Sequence, residues 1–321
     1  MTRLLVNAAW PRAGGPRPAD VAAAIQAAGG DGLGLPDSPR LFDDPLLATD
    51  RVLAETDVAM AGPCVLALGL RHPATVVGGL GTLAGRHGPR LLAVLARGES
   101  AVRNETLPVP SLRHYLAALD TVVAGLADAR QGMTLLGSAS GPRTLTETAT
   151  RVDGVLIDAG AAAEVVSSAV GRVREANPAA QAWLFLRVLA SDDSAERAAA
   201  VAPLLGSCAA RLVAAPDWYQ VPGRLRAEVA GLAAAHDYAK HGTAAASTGD
   251  TSEAAAFVAD RFFVVGDAAA VRARIEAVTA SGIHGVVLSG AVGGLLRRMG
   301  ATVAAVRAGL AVQAGLKGKR A

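Results

Sequence analysis

Thiols, aromatic side chains and long apolar runs are all scarce in this chain. Its only cysteines are Cys64 and Cys208. They stand far apart, with no Cys-x-x-Cys and no partner at metal-ligand spacing, which argues against a disulfide or zinc framework. Aromatics make up 3% of the residues, and no lysine or arginine run is interleaved with them. A stacking platform for nucleic-acid bases is therefore not expected. No uncharged apolar stretch reaches the length of a membrane span. The apolar run Leu4-Leu5-Val6 is too short for a signal peptide. Also missing are Gly-x-x-x-x-Gly-Lys-Ser/Thr, Gly-x-Ser-x-Gly and His-Glu-x-x-His, so phosphate-loop, hydrolase-elbow and zincin chemistry have no footing. The expectation is a soluble, cytoplasmic protein without metal, nucleic acid or membrane partners.

What is present is a large apolar reserve. Half the chain is hydrophobic (51%), rich in alanine, valine, leucine and glycine, and the formal charge is only +3. That supports a core big enough for one large domain or two ordinary ones. Arginine outnumbers lysine, which suits bidentate contacts to phosphate or carboxylate, although solvated helix faces account for most such residues.

Short apolar runs alternate with longer segments of helical period. Strands are predicted at Leu4–Ala9, Gly32–Pro36, Val58–Leu66, Arg90–Ala96, Met133–Ser138, Gly154–Asp158, Ala182–Leu189 and Gly285–Ser289. Helices are predicted at Pro18–Ala28, Asp44–Glu55, Pro73–Ala84, Ser111–Ala127, Pro142–Thr150 and Ala161–Ala176, with several more after Ser194 and a last one over Gly293–Ala314. Proline after Asp44 and after Gly141 marks two helix starts. Eight strands, each followed by helical sequence, predict an α/β fold of the (β/α)8 TIM-barrel type in a single domain over 1–321. The strands lack clean alternation, as expected when both faces are buried. Residues 191–282 are too many for one crossover and are expected to form a helical insertion between strands 7 and 8. Trp218, Tyr219, His236, Tyr238 and His241 fall in it and would roof the barrel mouth. Residues 316–321 form a basic tail.

The competing architecture is a two-domain doubly-wound protein. Its local support is Gly79-x-Gly81-x-x-Ala84, close to a dinucleotide-binding fingerprint. His72-Pro73 looks like a helix start just before it, and the next strand begins at Arg90. Close packing of small residues within a helix is the simpler reading.

In a barrel the chemistry sits at the carboxyl ends of the strands. Arg97-Gly98-Glu99-Ser100 leaves the fourth strand there. Arg97 is fit to grip a phosphate, and Gly98 lets backbone approach a ligand. The fifth strand ends in Gly137-Ser138-Ala139-Ser140-Gly141-Pro142-Arg143-Thr144, where a helix N-terminus and the hydroxyls of Ser138, Ser140 and Thr144 could hold an anion. An ordinary N-cap by Ser140 explains the same residues. Gly62-Pro63-Cys64-Val65 suggests a bulge in the third strand. Asp37 lies at the rim after the second strand, as a proton donor, a ring contact or a turn residue.

Five segments in register resemble the bacterial-luciferase-like flavin and deazaflavin oxidoreductases, most nearly the branch of methylenetetrahydromethanopterin reductase, which uses coenzyme F420. They are Leu35-Pro36-Asp37-Ser38-Pro39 with Asp44-Pro45, then Arg71-His72-Pro73-Ala74, then Arg97 through Arg103. Ala139 through Leu145, and Asp260-Arg261-Phe262 with Val264 through Asp267, complete the series. The resemblance implies a barrel holding a flavin-type ring at its mouth, with Arg97, Gly98, Ser100, Ala101, Ser138, Ser140, Gly141 and Thr144 around the cofactor. A non-proline cis peptide at Cys64–Val65 would press on the ring, and Asp37 or Glu99 would supply or organise a proton. Two motifs differ from many relatives: Ala67-Leu68 stands in place of Asn-Pro, and Asp37-Ser38 in place of Asp-His. The implied function is F420-dependent hydride transfer to or from a C=C, C=N or C=O bond of a small molecule, in a homodimer. The alternatives are an FMN-dependent monooxygenase served by a separate reductase, and a non-catalytic cofactor-binding relative.

Overall fold

A computed structural model describes residues 2–9, 16–238 and 251–318. Strands β1 (Arg3–Asn7), β2 (Gly32–Leu35), β3 (Met60–Ala67), β4 (Leu92–Ala96), β5 (Thr134–Ala139), β6 (Gly154–Ile157) and β7 (Gln181–Ala190) pair in chain order, all parallel. After them come β8 (Phe263–Gly266) and β9 (Gly285–Ser289). The last strand pairs with β7 on one side and β1 on the other, closing an eight-stranded barrel. This is the predicted (β/α)8 architecture, and it excludes the open doubly-wound sheet.

Between the strands run α1 (Pro18–Ala27), α2 (Pro45–Glu55), α3 (Pro73–His87), α4 (Glu99–Asn104), α5 (Leu112–Gly125), α6 (Pro142–Ala149) and α7 (Ala163–Ala176). Between β7 and β8 lie α8 (Ser194–Val201), α9 (Leu205–Ala214), α10 (Arg226–Ala234) and α11 (Glu253–Phe262). Next come α12 (Ala268–Val278) and, after β9, α13 (Met299–Gly318). The interval expected to be purely helical therefore also carries a ninth strand. The first half of β7 faces β9, and Arg187–Ala190 runs on past the barrel to pair with β8. The final helix starts later than predicted, because Gly294 takes a left-handed conformation (φ 80°) in the turn before it. Helix α4 was not expected, and Lys319–Ala321 lie outside the described residues.

Both strand faces are apolar for a reason the barrel makes visible. Leu5, Met60, Leu92, Leu136, Leu156, Trp183 and Val287 point inward and fill the lumen. Their neighbours Leu4, Leu33, Ala93, Leu135, Val155, Leu184 and Val286 point outward under the helices. Gly285 makes room for the indole of Trp183: a Cβ there would lie 2.3 Å from the ring. The Gly79–Ala84 segment is internal to α3, and a Cβ on Gly79 would come within 2.7 Å of Leu46 of α2. It packs two helices together and binds no dinucleotide phosphate.

The amino end of the barrel is closed by arginines on backbone carbonyls. Arg90 donates to the carbonyls of Leu53 (3.0 Å), Thr56 (2.6 Å) and Val58 (3.0 Å), gathering the end of α2. Arg174 holds Ser281 (2.7 Å) and Gly282 (2.6 Å), while Arg307 holds Thr2 (3.0 Å) and Gly29 (2.9 Å). Three of the arginines thus serve these orphan carbonyls.

Candidate active site

Strand parity decides which side chains reach the barrel mouth. Counting outward by twos from the lumen residues gives Asn7 on β1, Ser138 on β5, Asp158 just beyond β6, Phe185 and Arg187 on β7, and Ser289 on β9. Pairing of β3 with β4 shifts register between Cys64 and Leu66, which is the predicted bulge. The Cys64–Val65 peptide is cis, and the Asn7 side-chain amide donates to the Cys64 carbonyl. Burial pushes the Cys64 thiol up to about 12, so it is no nucleophile. Val65, Ser138 and Phe185 remain half-buried, whereas Asn7 and Ser289 are sealed. An apolar slot flanked by a hydroxyl is thus left at the top of the packed lumen.

Asp37 does not lie in that slot. Its side chain is 1% exposed and accepts from Arg71 Nε (2.8 Å), Arg71 Nη2 (2.9 Å) and the Ala67 amide (3.1 Å). Arg71 also donates to Asp44 (2.8 Å), which caps α2. Burial works against the Asp44 charge, but Arg71 and two backbone amides outweigh it and hold the carboxyl below its ordinary range. Asp37 thereby ties β2 to the loop after β3.

Glu99 opens α4 and sits between Arg97 (2.9 Å) and Arg103 (3.0 Å). Burial opposes its charge, and the two arginines overcome this, so the carboxyl is held below its ordinary range. A carboxylate in that state organises the arginines and holds no proton near neutrality. Gly98 has φ 76°, and a Cβ on it would fall 2.3 Å from that of Ala67. Only glycine lets β3 and β4 end so close together. Ser100 is half-buried in α4 and Ala101 is buried there. Arg97 turns to the helix side, where it lines a cavity of about 140 Å³ with Gly69, Pro110, His114 and Tyr115.

The β5 turn opens α6 without a side-chain cap. Its N-cap is Gly141, in place of the anticipated Ser140. Pro142 has no N–H, so the free donors of the first turn are those of Arg143 and Thr144. Nothing lies within 4 Å of a Cβ built on Gly141. Helices α4 and α7 also begin without side-chain caps, whereas Asp44, His72 and Ser111 cap α2, α3 and α5. Arg97 and the turn carrying Ser140 and Thr144 lie at one rim, on adjacent strand ends, but the described bonds join Arg97 to Glu99.

One group went unread in the sequence. Arg187 donates twice to Asp158 (2.9 and 3.3 Å), and Arg211 of α9 donates to the same carboxylate (2.5 Å). Burial raises the cost of the Asp158 charge, but the two guanidiniums more than offset it and keep the carboxyl below its ordinary range. The only signal was an arginine inside the apolar run Trp183-Leu184-Phe185-Leu186-Arg187-Val188. Above this cluster, the Tyr219 hydroxyl donates to the Ser140 carbonyl (3.4 Å), and the Tyr219 ring lies 5.5 Å from that of Phe262. Tyr238 reaches across to α4, with Arg103 5.5 Å from its ring centroid. The segment between β7 and β8 therefore covers the β4–β6 side of the mouth. Trp218 packs on Arg172 (5.4 Å), His72 caps α3, and His241 lies outside the described residues.

The fold is a closed parallel barrel with a bulged third strand and a segment between β7 and β8 that covers one side of its mouth. No protein-family model and no curated protein matches the chain. Among solved structures it is similar to an F420-dependent secondary alcohol dehydrogenase in complex with an F420–acetone adduct, at 14% identity and a TM-score of 0.68, covering 95% of this chain and 99% of that one. It is also similar to the F420-dependent tetrahydromethanopterin reductase of Methanopyrus kandleri, at 14% identity and a TM-score of 0.69, covering 95% and 96%. The oxygenating constituent of 3,6-diketocamphane monooxygenase from Pseudomonas putida, in complex with FMN, matches at 14% identity and a TM-score of 0.59, covering 95% and 96%.

Proposed function

We propose that this chain is an F420-dependent oxidoreductase that holds the deazaflavin at the barrel mouth and serves hydride transfer to or from a small organic substrate. The observation that carries the reading is the uncapped first turn of α6 beside an arginine-rich rim. Among the described ion pairs, the rim after β4 sets Arg97 and Arg103 against Glu99. Such a surplus of positive charge, with free amide donors, fits a phosphate and an acidic tail.

When bound, the deazaflavin supplies the hydride chemistry; the chain supplies position and dryness. The amides of Arg143 and Thr144, with the hydroxyls of Ser138, Ser140 and Thr144, would hold the phosphate side. Val65 and Phe185 would bound the ring slot. The α9–α10 roof would exclude water from it. Glu99 would orient Arg97 and Arg103, and Asp37 would fix the β2 rim. The reading carries with it a homodimer and a cytoplasmic setting.

The test is an anaerobic titration of the whole protein with F420 and with reduced FMN, followed by absorbance. Saturable F420 binding, with substrate-dependent change at the deazaflavin band, is the expected result. Tighter binding of reduced FMN with substrate-dependent oxygen uptake would replace this reading with a monooxygenase. Bound F420 that exchanges hydride with no acceptor would make the chain a cofactor-binding relative.

A further inference from the structure

We propose that Arg211, aimed by Asp158 and Arg187, forms a subsite in the barrel mouth that takes the carboxylate of an anionic substrate with an apolar body. This deepens the oxidoreductase reading, on which it depends only for calling the ligand a substrate.

The three charged groups are unequal in a way that points outward. Side-chain exposure is 6% for Arg187, 13% for Asp158 and 30% for Arg211. Arg187 is fixed by two bonds to Asp158, and its guanidinium lies 5.4 Å from the Phe185 ring and 5.7 Å from that of Phe262. It is thus immobilised on all sides. Asp158 spends its other contact on Arg211 Nη2, so one carboxylate serves two guanidiniums. Among the described ion pairs, one carboxylate therefore faces two positive charges, and low polarity under the roof favours an anion that meets the second. Arg211 is the member with surface left to make that contact.

Position fits the same reading. Arg211 comes from α9 and meets Asp158, which lies just beyond β6 on the lumen-facing row of side chains. Arg211 therefore lies over the β4–β6 side of the mouth and not on the outer wall. Phe185, half-buried and inward-facing on β7, gives an apolar wall beside the Arg187 guanidinium of the same cluster. A guanidinium next to an aromatic face recognises a carboxylate attached to a flat or aliphatic group. The α6 turn, two loops earlier on the rim, remains for the phosphate of a cofactor, so the two anionic groups have separate seats.

Benzoate and its neutral analogue benzamide, titrated calorimetrically into the whole protein without cofactor, test this. Benzoate is expected to bind roughly tenfold or more tightly than benzamide, and Arg211→Gln to abolish that preference while benzamide binding stays unchanged. Arg211→Lys should recover part of the preference. A repeat with F420 or FMN present separates the two sources of an anion: retained benzoate binding supports a substrate subsite, and displacement would assign the guanidinium to the cofactor's own phosphate or tail and overturn the proposal. Equal binding of both probes by the unaltered protein would overturn it as well, and that measurement holds even if Arg211→Gln does not fold. Because none of the first titrations uses a cofactor, failure of F420 binding would leave this result standing.

Discussion

The two ends of the barrel use the same residue type for opposite purposes. At the amino end Arg90 and Arg174 donate to backbone carbonyls that helix ends and turns leave unpaired, and Arg307 joins two such carbonyls to the Asp31 carboxylate. At the carboxyl end Arg71, Arg103, Arg187 and Arg211 all meet carboxylates. A guanidinium spent on neutral carbonyls stays positive but is locked, and its contribution is to stability. One that shares a carboxylate with a second guanidinium leaves charge over, and that surplus is available to a ligand. Around the mouth the contrast repeats in miniature: Asp37 and Asp44 share Arg71 on the β2–β3 side, while Glu99 and Asp158 are each outnumbered on the β4–β7 side.

The sharpest way to break this contrast is Asp158→Ala. It strands two guanidiniums, one of them buried, and should lower unfolding stability by about 3–5 kcal/mol in denaturant titration. A much smaller loss would mean that the cluster is solvated and carries no surplus. Next in size is Arg90→Met at the opposite end, expected to lower stability by about 2 kcal/mol through the freed carbonyls. Binding of F420 should stay unchanged in that variant, and weakened binding would deny the separation of the two ends.

Gly141→Asp sharpens the comparison at the rim itself. A carboxylate at this N-cap should stabilise α6 by about 0.5–1 kcal/mol, visible as a higher melting temperature. It should also weaken F420 roughly tenfold, because the new anion takes the amides meant for phosphate. A stabilised protein with unimpaired binding would remove the α6 turn from the site.

The smallest effects concern pH. Asp44, Glu99 and Asp158 are each held below the ordinary values of 3.8 and 4.5. Their folded forms therefore resist protonation, so the stability they add is present at neutral pH and is lost as pH falls below about 4. Cys64 behaves oppositely: its thiol rises from 9.0 to about 12, so alkaline pH above 9 favours the unfolded chain. Native protein at pH 8 should leave Cys64 unmodified by iodoacetamide, and rapid labelling would show that the bulge opens to solvent.

How much could be read beforehand follows from what each signal depends on. Eight strands and six early helices were legible because burial on both faces and helical spacing are local patterns, reinforced by Asp44-Pro45 and Gly141-Pro142 at helix starts. β8 was not, since four residues paired with the overhang of β7 have no pattern of their own. Asp37 looked available because it follows a strand; its engagement depends on Arg71, thirty-four positions on. The cap of α6 was misplaced by one residue, as Ser140 and Gly141 are equally good N-caps until the backbone chooses. Arg187 was visible as an anomaly in an apolar strand, but its partners come from β6 and from α9.

The sequence by itself determined the barrel: alternating elements, strands apolar on both faces and helix starts at the strand ends follow from burial and backbone geometry between near neighbours. Tertiary structure alone decided where the charges count. Which carboxylate neutralises which arginine depends on elements brought together from far along the chain, and Coulomb interactions depend on distance in space, which the order of residues does not record.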